Sequence, residues 1–172
     1  MHTEPSKPAM DEDTLAAIRE VFQLVRAGDS ARLAALVQQG LPVNFRNEKG
    51  DSLIMLASYH GHAATAQVLL AAGADPNVAN DQGQTPLAGV AYKGYREIAE
   101  MLLAHGAAVD GNSPDGKTPL MMAAMFNRTE VLELLLAHGA NPAAVDSRGM
   151  TAASLAAMMG AQETAAALQA HD

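Results

Sequence analysis

Glycine recurs along this chain at a fixed step of 33 residues. Gly50, Gly83, Gly116 and Gly149 form one register, and Gly40, Gly73, Gly106 and Gly139 form a second. A third holds Gly28, Gly61, Gly94 and Gly160, with Asn127 in its one remaining slot. Three registers without an insertion mean one small unit copied along the chain. Such units cannot bury an apolar face alone, so they must stack on one another.

Each copy opens on a turn. Asn47-Glu48-Lys49-Gly50, Asn80-Asp81-Gln82-Gly83, Ser113-Pro114-Asp115-Gly116 and Asp146-Ser147-Arg148-Gly149 all place Asn, Ser or Asp first and Gly fourth. That is a type I turn pattern, with Pro114 in the favoured second place. Ser52, Thr85, Thr118 and Thr151 follow as helix caps, and Pro86 and Pro119 suit a first helical position that needs no N–H. The spacing predicts short apolar helices over Ile54–His60, Leu87–Lys93, Leu120–Phe126 and Ala153–Met159. Asn127 replaces glycine where a left-handed residue ends the helix. Second helices are expected over Arg96–Ala104 and Thr129–Ala137, with Leu69-Leu70, Leu102-Leu103 and Leu135-Leu136 facing the core. The ladder Ala57-Ser58, Val90-Ala91, Ala123-Ala124 and Ala156-Ala157 marks the closest helix contacts.

The 172 residues are 49% hydrophobic but only 3% aromatic, which fits closely packed helices built from Ala, Leu, Val and Met. A net charge of −8 disfavours double-stranded nucleic acid and anionic membrane, since both need a basic face. No cysteine is present, which removes disulfides and thiolate metal sites and suits a reducing, cytoplasmic setting. No window reaches the roughly 18 apolar residues of a membrane span, and the first ten lack the apolar run of a signal peptide. Residues 1–10 are expected to be a flexible arm.

Gly83-Gln84-Thr85-Pro86-Leu87 and Gly116-Lys117-Thr118-Pro119-Leu120 carry a turn-to-helix motif. Leu69-Leu70-Ala71-Ala72-Gly73-Ala74-Asp75-Pro76-Asn77 and Leu135-Leu136-Ala137-His138-Gly139-Ala140-Asn141 carry its helix-end counterpart. At period 33 this combination resembles the ankyrin repeat. The resemblance covers about residues 11–170 and implies an all-α solenoid of helix-turn-helix units with β-turn-like loops. The implied units are an N-terminal cap at 11–46, repeats at 47–79, 80–112 and 113–145, and a C-terminal cap at 146–172. The first unit lacks the turn and has a longer first helix, Thr14 to Arg26, opened by Asp11, Glu12 and Asp13 in keeping with the helix dipole. The family's His after Thr-Pro-Leu is replaced by Met55, Ala88, Met121 and Ser154. Gly89 lies inside a helix, at a cost of about 1 kcal/mol against alanine.

The resemblance further implies that turn tips and the exposed side of the first helices form a concave binding groove. By register, the candidate partner-binding residues on the helices are Tyr59, His60, Tyr92, Lys93, Met125 and Phe126. Those on the turns are Asp81, Gln82, Gln84, Lys117 and Arg148. Tyr, Phe and Met are enriched at protein interfaces, and outward positions in this fold do not require them. Lys93 and Arg148 would pair acidic groups of a partner. Met158 and Met159 occupy the same slots in the last unit, where they can pack on the cap.

His60 and His62, and the series His105, His138 and His171, invite a metal reading. Packed helices stand about 8–10 Å apart, whereas a Zn–N bond is about 2.1 Å, so successive repeats cannot pool one ligand each. The periodic histidines instead complement helix C-termini. Asn44, Asn77 and Asp110 share one loop position and are expected to bond backbone. No nucleophile–base pair, phosphate loop or paired carboxylate stands out.

The expectation is therefore a monomeric, non-catalytic scaffold with no cofactor or metal, binding a protein partner through its groove. A narrower form is a stand-alone immunity or inhibitor protein whose acidic surface neutralises a basic enzyme or toxin. A small-ligand or peptide binder would need a deep pocket, which shallow units rarely make. A designed consensus scaffold fits poorly with the divergence between units.

Overall fold

The computed structural model describes residues 10–171. All but the last residue of the expected arm, 1–10, lies outside them. The described chain is ten helices in five pairs. These are α1 (Glu12–Ala27) with α2 (Ser30–Gln38), α3 (Leu53–Tyr59) with α4 (Ala63–Ala71), and α5 (Pro86–Lys93) with α6 (Arg96–Ala104). They continue as α7 (Pro119–Met125) with α8 (Thr129–Ala137) and α9 (Ala152–Met159) with α10 (Gln162–Gln169). No helix of the described residues is long and apolar enough to cross a membrane.

Local chemistry fixes the helix starts. Ser52, Thr85, Thr118 and Thr151 each accept a bond from the amide three residues on, at Met55, Ala88, Met121 and Ser154. That satisfies one of the donors a helix leaves orphaned at its start. In α1 the cap is Asp11, which accepts from the Thr14 amide at 2.8 Å. The helix therefore begins two residues before the expected Thr14. α3, α5, α7 and α9 likewise each start one residue early, because the helix begins directly after its cap.

The turns repeat with equal regularity. The Gly50 amide donates to Asn47 O at 3.0 Å and the Asn47 amide to Asp51 O at 2.9 Å. The same pair of bonds closes the turns at Asn80, Ser113 and Asp146. Each turn is thus a tight hairpin tip rather than an open loop.

Pairs stack so that α1, α3, α5, α7 and α9 form an inner row and the even-numbered helices an outer row. One apolar core runs through the stack. Ile54, Leu87 and Leu120 fill the same register, all at 1% exposure or less, with Leu53 and Leu155 buried beside them. Of the ladder of small residues, only Ala157 in the last unit is exposed. Both residues of the Leu69-Leu70 pair are buried, but only Leu102 and Leu135 of the next two pairs are, with Leu103 and Leu136 half-buried. Burying such a leucine contributes about 1.5–3 kcal/mol each.

Backbone ties cross between units. The Asp81 amide donates to Lys49 O at 3.1 Å and the Ser147 amide to Asp115 O at 2.9 Å. Pro114 holds the equivalent position between them and has no N–H. Asn44 accepts from the Asp75 amide and donates to Gly73 O, and Asn77 repeats this with the Ala108 amide and Gly106 O. Asp110 accepts from the Asn141 amide but, as a carboxylate, donates nothing. The joint between residues 80–112 and 113–145 therefore lacks two ties that the preceding joint keeps. Side chains hold it instead: Arg128 Nε donates to Tyr92 O at 2.9 Å.

Asn127 has a second reason to stand where glycine does elsewhere. Its φ of +56° is left-handed, as expected. Its Oδ1 also accepts from the Thr164 amide at 3.1 Å, in the first turn of α10, whose own cap residue Ala161 has no capping side chain. Asn127→Gly keeps the backbone and loses the bond, so it should cost about 1 kcal/mol. Asn127→Ala adds left-handed strain and should cost about 2–3 kcal/mol in all. Urea midpoints of the two variants would separate the two effects: no loss in Asn127→Gly would mean the bond contributes nothing, and equal losses would mean the left-handed strain contributes nothing.

Candidate functional site

The inner helices and turn tips enclose a groove of about 1060 Å³ running from α3 to α7. Eight of the eleven residues expected at the site line it: Tyr59, His60, Asp81, Gln82, Gln84, Tyr92, Lys117 and Phe126. Lys93, Met125 and Arg148 do not. Lys93 sits on the groove edge, with Nζ 4.6 Å from the Tyr59 ring centre and 5.8 Å from that of Tyr92. Met125 packs against the core. Arg148 folds back on its own turn and pairs with Asp146 at 3.5 Å.

The rings form a connected strip. Tyr92 and Phe126 meet edge-on, centroids 4.6 Å apart at 87°. Lys93 bridges Tyr92 to Tyr59, and Tyr59 touches His60 edge-on at 5.8 Å. Tyr59 is 41% exposed, while Tyr92 and Phe126 are half-buried. Edge-to-face pairs and ammonium–ring contacts each hold such a strip in shape by roughly 0.5–1.5 kcal/mol.

The turn residues are largely committed to one another. Asn80 Nδ2 donates to Gln84 Oε1 at 3.1 Å and to Asp51 Oδ1 at 3.0 Å. Arg46 reaches Ala79 O at 2.7 Å and pairs with Asp81 at 3.5 Å. Lys117 and the Ser113 hydroxyl both donate to Asp115 and hold its pKa at about 2, against 3.8 for a free aspartate. A depressed folded-state pKa means a contribution that is full above pH 3.8 and lost as the pH falls through about 2. With half of the side chain exposed, screening keeps it below about 1 kcal/mol. Asp115→Asn should therefore shrink the drop in urea midpoint between pH 4 and pH 2; an undiminished drop would assign the acid sensitivity elsewhere.

On the floor of the groove, residues the sequence reading took singly form one feature. At one register stand Met55, Ala88 and Met121, and at the next Leu56, Gly89 and Met122. Large side chains flank two small ones, so α5 carries a notch at Ala88–Gly89 between Leu56 and Met122, all four on the groove lining. Comparing residues 33 apart for size, and not only for glycine, reveals it.

Apart from the stacked pair His60 and His62, the histidines stand separately. His62 Nε2 bonds Arg26 O at 2.8 Å, while His105 and His138 each bond the carbonyl four residues back. Among the described residues no three His, Cys, Asp or Glu side chains stand close enough to share an ion.

A family model described as ankyrin repeats in three copies matches residues 21–115 and again 90–172. A curated relative from Pseudomonas aeruginosa, named as an ankyrin repeat protein, is 55% identical over 66 residues. The match takes in 38% of this chain and 39% of that protein, well under two thirds of its length.

Proposed function

The chain belongs to the ankyrin repeat family, whose repeats are generally protein–protein interaction modules, and on that premise we propose that it is a non-catalytic scaffold gripping a partner protein in its groove. The observation that carries this is the strip Tyr59–Lys93–Tyr92–Phe126, continuous across three inner helices and open to solvent along one side. Outward-facing rings at those positions are not needed for stacking, and aromatic anchors carry much of the energy at interfaces. An open trough spanning three units suits a polypeptide segment better than a small molecule, whose sites enclose most of the ligand surface. A stable interface there needs about 1,200 Å² or more in total.

The test is an affinity capture from host lysate with the wild-type chain, Tyr92→Ala/Phe126→Ala, and an outer-face control, Glu100→Ala/Glu133→Ala. One protein held by wild type and control but lost from the groove variant is expected. Its affinity should drop by about 1–3 kcal/mol for each ring removed. A captured protein indifferent to the groove substitutions would move the site off this face.

A further inference from the structure

A cationic corner flanks the groove at His60. Arg26 closes α1, His60 closes α3, and Lys93 closes α5. His60 and His62 rings stack with centroids 6.1 Å apart, and Lys93 lies over the Tyr59 ring beside them. Four ion pairs exist among the described residues, and none involves Arg26, His60, His62 or Lys93. In a chain of net charge −8, no carboxylate among the described residues pairs with this corner. The groove's acidic side chains behave oppositely: Asp81 and Asp115 are paired, and Asp51 accepts from Asn47 and Asn80.

One helical turn away lies the Ala88–Gly89 notch. Glycine destabilises a helix interior relative to alanine, yet here the space is not forced by the fold. A Cβ at Gly89 would meet only Tyr59 Cδ2 at 3.5 Å, an ordinary contact. From residue 89 to residue 93 the helix rises about 6 Å, the span of roughly two residues of extended chain.

We infer that the segment held in this groove is acidic: it seats an apolar side chain in the notch at Ala88–Gly89 and lays a carboxylate, about two residues along, on the corner of Arg26, His60 and Lys93. This rests on the groove reading above and gives the partner its chemistry. The chain's overall negative charge opposes an extended polyanion such as nucleic acid but leaves room for one local carboxylate. It also makes the grip pH-dependent. The groups facing His60 are Arg26 from α1, His62 at the start of α4, and Lys93 from α5; α4 itself carries no charged side chain. Partial burial and these cations keep the His60 imidazole neutral to a lower pH than usual. A bound carboxylate reverses that, so binding takes up a proton and tightens as the pH falls.

The test uses two pools of fluorescent nine-residue peptides. Both have Leu, Met or Phe at the centre and neutral residues elsewhere; two positions beyond the centre, one pool has Asp or Glu and the other Lys or Arg. Fluorescence polarisation should show the acidic pool binding at least ~10-fold tighter. Its affinity should rise ~2–5-fold from pH 7.5 to pH 6.0 in wild type but not in His60→Gln. Lys93→Glu should erase the preference between pools. Gly89→Met, which copies the residue at the next unit's position, should weaken the acidic pool ~10-fold or more while thermal stability holds or rises. Equal binding of the pools, preference for the basic pool, or no effect of Gly89→Met overturns the inference. Basic-pool binding that is lost in Tyr92→Ala/Phe126→Ala would overturn it while leaving the groove in place. Failure of both pools, with a lysate partner still lost from that variant, would do the same. Peptide binding indifferent to the two rings would remove the groove reading itself.

Discussion

Replacing Leu120 with alanine is expected to lower the unfolding free energy by about 2–5 kcal/mol, the range for a fully buried leucine. Leu120 has no exposed surface and sits on α7, in the inner row between α5 and α9. Stacked inner helices cannot close a cavity there without drawing two neighbouring units together, so relaxation should be small. Urea unfolding followed by circular dichroism gives the loss. A drop under about 1 kcal/mol would show that the stack collapses into the space and that its core is less rigid than drawn. Because repeat arrays couple mainly through nearest neighbours, the transition should also broaden if the centre uncouples from the ends.

The second large effect concerns the contact between turn tips. Gly83 has a φ of +75°, and a Cβ built there would overlap the Pro114 ring, with Cγ 2.7 Å away. Gly149 occupies the same register at φ +77° and meets nothing within 4 Å. Alanine at Gly149 should therefore cost only the left-handed strain, about 1–2 kcal/mol. Alanine at Gly83 adds collision with a stiff ring on the next turn and should cost about 2–4 kcal/mol. The difference between the two variants measures how tightly adjacent tips are pressed. Equal costs would mean that Pro114 swings clear at no expense.

Most of the architecture was readable because it depends on residues close in sequence. Turn, cap and glycine register lie within one unit, and α6 and α8 run over the expected Arg96–Ala104 and Thr129–Ala137. What escaped depends on residues about one unit apart. Asn127 was readable as a left-handed residue but not as the cap of a helix beginning 35 positions later, because that bond exists only once units stack. The same holds for Lys93, whose outward register gave no hint that it would lie over Tyr59 instead of pointing into the groove. Met125 was expected outside and turns to the core, since the end of a seven-residue helix leaves its direction to neighbours. Arg148 is a local exception: it pairs with Asp146, two residues back in its own turn.

The missing amide of Pro114 and the missing donor of Asp110 fall at the same seam, between the unit of α5 and the unit of α7. That seam keeps fewer of these ties than the joint before it. It is fastened by Arg128 reaching Tyr92 O on one side and by the Tyr92–Phe126 ring pair on the other. Those same rings face the groove. A segment that grips both rings acts as a splint, and a segment that wedges them apart acts as a lever. On the groove reading proposed above, the aromatic pair would link occupancy of the groove to the spacing between the units of α5 and α7.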